Sequence, residues 1–322
     1  MKSNFWKLGL GVACICATGL AARAAALQRT DVMANPAWLL HLDCDALRPT
    51  TIGQYVLTEM DKPEAKAKLA AFQSIFSFDL RTQLHGVTLY GGTPAPADSV
   101  LMIYADFDAD RLVILAKAAK DSQSSQHNQH VIYNWIDENK HGKHGANQRV
   151  YAAIQGNRVI FGQREDRVAG ALDVLDGTAP NLASGTGFPD LGASGNTHFV
   201  EAAARKMDLP NGDPNAAILK LSQSVELAMG EQQQQFHGAL RLVADSDEAA
   251  GHILSIAQGL VALMKLQTGK PEAVTLANAL VFTQNGSAVL GTIALPASDA
   301  VEIMKADAAR KAAAHKAKES KE

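Results

Sequence analysis

Leu101-Met102-Ile103-Tyr104-Ala105-Asp106-Phe107-Asp108 has a counterpart further along the chain, Leu240-Arg241-Leu242-Val243-Ala244-Asp245-Ser246-Asp247. Each begins as a run of β-forming residues, closes on Ala-Asp-x-Asp and is followed by a helical pattern. After the first, Leu112, Leu115, Ala116 and Ala119 recur at i, i+3, i+4 and i+7; after the second, Ile253, Ile256, Leu260 and Leu263 share one helical face.

The parallel extends outward from these two segments. Val150 to Phe161 reads as a hairpin broken at Gly156-Asn157, and Ala279 to Leu290 as another broken at Asn285-Gly286, a dipeptide suited to a type I′ turn. A helix is expected after each hairpin, over Glu165 to Leu175 and over Ser298 to about Ala313. Upstream, a strand at Trp38 to Cys44 leads into a helix at Thr51 to Met60, and a strand at Thr197 to Ala202 leads into a helix at Asn215 to Met229. Tight hairpins imply antiparallel pairing, and the interspersed amphipathic helices imply a cover. The predicted fold class is therefore α+β: two similar halves, each an antiparallel sheet covered by helices on one face, with internal duplication as the source of the shared order.

The N-terminus, MKSNFWKLGLGVACICATGLAARAAA, joins basic Lys2 and Lys7 to a short apolar segment that ends in Ala24-Ala25-Ala26. That is the pattern of a cleaved secretory signal; the apolar stretch is short for a lone membrane anchor, and Cys14 sits in a poor context for lipidation. The expected organisation is a signal peptide at 1–26, a first half at 27–176 and a Gly/Ser/Pro-rich linker at 177–197. A second half at 198–305 and a charged Ala/Lys-rich tail at 306–322 complete it. Cleavage leaves 27 basic against 33 acidic residues, a net charge of −6. That balance gives no footprint for nucleic acid, and no later segment offers the ~18 apolar residues of a membrane span. Of Cys14, Cys16 and Cys44 only Cys44 remains, so no internal disulfide is available, and alternation with Trp38, Leu40 and Leu42 marks Cys44 as a small buried hydrophobe.

Three groups of residues could carry chemistry. Asp43 and Asp45, Asp106 and Asp108, and Asp245 and Asp247 offer hard oxygen ligands for Mg²⁺ or Ca²⁺, although an Asp at a strand end also serves to cap the helix that follows. Alternation places His41, Asp43 and Asp45 together on the polar face of the first strand, where they could bind a metal or move a proton. His127 with His130, and His141 with His144, have the spacing of Zn²⁺ or Ni²⁺ ligands. Uniting the two pairs would require the chain from His130 to His141, about 35 Å long when extended at ~3.3 Å per residue, to fold back on itself. Gly185-Thr186-Gly187 lacks the strand and spacing of a phosphate cradle, Gly192-Ala193-Ser194-Gly195 lacks the spacing of a nucleophile elbow, and H-E-x-x-H is absent.

The sequence therefore predicts an exported protein, periplasmic or secreted, with a non-catalytic binding or scaffolding role toward a protein or small-molecule partner. No cofactor is implied beyond a divalent metal. The alternative, from a different class, is an exported metal-dependent hydrolase built on His41, Asp43 and Asp45 or on a histidine pair.

Overall fold

The computed structural model describes residues 26–141, 147–185, 187–192, 198–206, 222–267 and 269–319. The signal-type segment and His144 lie outside the described residues. The first half runs β1 (Trp38–Asp43), α1 (Cys44–Leu47), α2 (Thr51–Met60), α3 (Pro63–Phe76), β2 (Leu84–Gly91), β3 (Ser99–Ala105) and α4 (Ala109–Ala118). It continues with β4 (Gln123–His127), β5 (His130–His141), β6 (Asn147–Gln155), β7 (Arg158–Gly162) and α5 (Glu165–Leu175). The second half contributes β8 (His198–Arg205), β9 (Ser222–Gln232), β10 (Gln235–Ala244), α6 (Asp247–Lys265), α7 (Pro271–Ala279), β11 (Leu280–Asn285), β12 (Ala288–Pro296) and α8 (Ala297–Glu319).

The two expected sheets are joined edge to edge. One antiparallel sheet of twelve strands has the order β11-β12-β10-β9-β8-β1-β2-β3-β7-β6-β5-β4. The halves meet where β1 pairs β8, from Trp38↔Ala204 to Leu42↔Val200. Outward from that seam, β1-β2-β3-β7-β6 on one side stands opposite β8-β9-β10-β12-β11 on the other, so the two Ala-Asp-x-Asp strands, β3 and β10, each take third place. Their helices begin with different caps. Asp108 accepts the amide of Arg111, whereas Ser246, rather than Asp247, accepts the amide of Ala249. Among the described residues no helix is long and apolar enough to cross a membrane.

Helices gather mainly on one face of the sheet. There Ile52 of α2 and Ala300 and Val301 of α8 pack with Phe199 and Leu295, and Ala250 and Ile253 of α6 pack with Leu242 and Val289. Helix α5 lies on the opposite face of the first half, where Val168, Ala171 and Leu172 meet Val100, Met102, Tyr104 and Ile160. Leu182, Phe188 and Leu191, within the stretch expected to be a linker, pack into that same core. The Arg29 guanidinium holds them there by donating to the carbonyls of Leu182, Gly187, Phe188 and Leu191 at 2.6–3.2 Å.

Three expectations are corrected. The helix expected over Asn215 to Met229 is, in its described part, strand β9, because Ser222–Gln232 is paired on both sides by β8 and β10. The α6 stripe turns only partly inward: Ile253 is buried, while Ile256, Leu260 and Leu263 are 46%, 54% and 60% exposed. The faces of β1 are also reversed. Leu40 is exposed, whereas His41 and Asp43 are buried, because their face, through Leu39, packs into the core that holds Leu182, Phe188 and Leu191.

Candidate functional site

Each of the first-strand residues singled out for metal chemistry is engaged in a local contact. His41, buried in the sheet, places Nδ1 2.8 Å from Thr88 Oγ1. Asp43 Oδ1 accepts the Ala46 amide at 2.8 Å and so caps α1. Burial pushes the Asp43 carboxyl above its ordinary range, opposed by that amide. The strand ends there, so Asp45 lies in α1 and leaves the shared face that alternation implied. Its carboxylate accepts from Arg48 Nη1 at 2.7 Å and lies 2.9 Å from His85 Nδ1.

The histidine pairs meet a similar fate. His127 and His130 face each other across the β4–β5 turn, each drawn onto an acid of the α5 end. His127 Nε2 lies 2.8 Å from Asp173 Oδ1, and His130 Nε2 lies 2.9 Å from Asp176 Oδ2. Those contacts pin the hairpin to α5. His141 closes β5 opposite Asn147, at the far end of the strand from His130. Among the described residues, no group of three or more His, Cys, Asp or Glu side chains is placed to hold a metal ion.

What sequence patterning did not show is a cavity. Strands β5, β6 and β7 align Tyr133 with Ala152, Ala152 with Phe161, and Ile154 with Val159, so these side chains share the helix-bearing face. Above them runs the stripe Leu112, Leu115, Ala116 and Ala119 at the α4 end, and Ile75 and Phe76 of α3 close one side. Arg111 Nε donates to the Ile75 carbonyl at 3.0 Å and fastens α4 to α3. The slot, open along part of its rim, has a volume of about 230 Å³, and none of its lining side chains is ionisable at neutral pH. Ala116, Ala119 and Ala152 are the reason for the gap, since three small residues meet where larger ones would interdigitate.

The corresponding stripe in the second half packs only at its start: where α6 crosses β10 and β12, Ile253, Leu242 and Val289 are buried, while Ile256, Leu260 and Leu263 remain exposed. Tyr133 and Trp135 are the polar-tipped members of the cavity wall, and neither side chain makes a hydrogen bond to a described residue. The site is thus an apolar slot with two hydrogen-bond donors at one wall.

No protein-family model and no curated protein matches the chain. Among solved structures it is similar to TP0453: crystal form III at 14% identity over 88% of this chain and 99% of that one, with a TM-score of 0.46, and crystal form I at 9% identity over 88% and 98%, also with a TM-score of 0.46.

Proposed function

We propose that this chain is an exported, non-catalytic binding protein that holds an apolar small molecule between α4 and strands β5–β7. One observation carries the reading: a cavity of about 230 Å³ lined without a single charged side chain, roofed by the small residues Ala116 and Ala119. Closed apolar cavities of roughly 150 Å³ stay dry and take up benzene, so a slot of this size suits an aromatic ring or a short aliphatic segment. Tyr133 and Trp135 would donate to an acceptor group on the ligand. The signal-type N-terminus supports export to the periplasm or beyond.

Duplication belongs to the same proposal. The matched strand order outward from the β1–β8 seam supports it, with the apolar slot in the first half. The metal-hydrolase alternative has no convergent site to support it, since His41, Asp43 and Asp45 each serve a different local contact.

Titration of residues 27–322 with N-phenyl-1-naphthylamine tests the proposal. Saturable fluorescence enhancement at one site per chain, with energy transfer from Trp135, is expected. Non-saturable enhancement, or none, overturns it.

A further inference from the structure

Among the described residues, no helix covers the face of β9, β10 and β12 opposite α2, α6 and α8. Helix α5, which follows β7, crosses to that face in the first half; α8, which follows β12, packs instead beside α2 on the helix-bearing side. Two cross-strand rows remain there, Ala228–Ala239–Thr292 and Glu226–Arg241–Leu290. With Asp190 and Leu191 as a side wall they form a second cavity of about 250 Å³.

Of its polar groups, Arg241 and Asp190 reach solvent. Glu226 is buried and accepts the Asp190 amide at 3.1 Å. Arg241 stands 3.6 Å from both Glu226 Oε1 and Asp190 Oδ2 and donates no hydrogen bond to a described residue. Arg29 nearby, by contrast, uses its guanidinium on four carbonyls. A bulge in β8 between His198 and Val200 brings His198 onto the face of Glu201 and into the same cavity. Its Nδ1 is buried without a hydrogen-bond partner, 3.8 Å from Glu201 Oε1. Burial and the neighbouring His237, with ring centroids 5.4 Å apart, hold the imidazole below its ordinary pKa and hence neutral.

Charge selects the ligand. A simple anion reaching Arg241 would meet Asp190 and Glu226, and a simple cation reaching those acids would meet Arg241. A molecule carrying both charges on adjacent atoms meets neither conflict, and Leu191, Leu290, Ala228 and Ala239 give its remainder an apolar seat. We propose that this groove binds a zwitterionic α-amino acid with an aliphatic side chain, its carboxylate on Arg241 and its ammonium toward Asp190 and Glu226.

Calorimetry on the mature chain with L-leucine, isovalerate and isoamylamine tests this. Leucine should bind at one site, and each singly charged analogue at least tenfold more weakly. Arg241→Met should weaken leucine binding at least tenfold, with thermal stability followed alongside because the change also removes the positive charge facing Glu226 and Asp190. Ala239→Phe, at an exposed position on the floor, should block the groove without disturbing a buried contact. No heat with leucine, equal affinity for either analogue, or undiminished binding in both variants would overturn the proposal. Naphthylamine probe binding should persist in both variants, which separates a failure here from a failure at the apolar cavity.

Discussion

Asp45 Oδ2 lies 2.9 Å from His85 Nδ1, and together they tie helix α1 to strand β2. The other imidazole nitrogen stands 3.1 Å from Asp106 Oδ2 at the end of β3, so one buried ring links three elements. His85 occupies the bulge where the β2–β3 register shifts between Leu84 and Gly86, which turns it out of the strand's alternation and between the two acids. His85→Ala should cost about 2 kcal/mol or more, from the lost contact with Asp45 and the space left in a buried position. Urea unfolding measures it; a loss below about 0.5 kcal/mol would show that the ring holds nothing together.

Glu201 gives the pH prediction. Its carboxyl is buried, accepts the Gly192 amide at 3.0 Å, and is raised above its ordinary pKa chiefly by burial and further by Asp43. A carboxyl whose folded pKa exceeds its unfolded one contributes stability that is complete below the unfolded value and lost as pH rises through the folded value. Glu201→Gln keeps an acceptor for the Gly192 amide and cannot ionise. The variant should match the parent near pH 4 and exceed it in urea midpoint at pH 7. A parent protein more stable than the variant at pH 7 would contradict the assignment.

Cys44 should be slow to react. Burial pushes its thiol up to about 11, with Arg48 opposing and Asp43 and Asp45 reinforcing the shift. At pH 8, 5,5′-dithiobis(2-nitrobenzoate) should leave folded residues 27–322 unlabelled over minutes and label one thiol per chain of that span in urea. Prompt stoichiometric labelling of the folded protein would rule out a protected thiol.

Helix ends proved the most legible feature of the sequence. The reading of α2 over Thr51–Met60 and α5 over Glu165–Leu175 coincides with the structure, the first because Thr50 caps it through the Gly53 amide. Hairpins broken at Gly156 and Gly286 were equally plain, since both glycines adopt positive φ. Strand β4, Gln-Ser-Ser-Gln-His, was hidden because it carries no apolar residue and is paired only at one edge. Alternation along β1 correctly separated two faces but could not say which was covered, so His41 and Asp43 read as solvent-facing although residues from Leu182 to Leu191 help bury that side. His85 and His198 sit beside bulges, where the period of two that guides such reading breaks down.

The α4 stripe shows both the reach and the limit of patterning. Leu112, Leu115, Ala116 and Ala119 were legible as one face, and that face does meet the sheet. That Ala116 and Ala119 would fall opposite Ala152, a residue distant in sequence, follows only from the register of β6 against β5 and β7. Sequence marks the small residues; the sheet decides that they coincide.

The apolar cavity is the central claim, and filling it is the most direct test. Ala116→Phe places a ring into the slot from α4, with Ala119→Leu as a smaller second filling at the same roof. Equilibrium titration of N-phenyl-1-naphthylamine should show affinity reduced at least tenfold in Ala116→Phe and reduced less in Ala119→Leu, with thermal midpoints equal to or above that of the parent. Unchanged probe affinity in both folded variants would contradict the account.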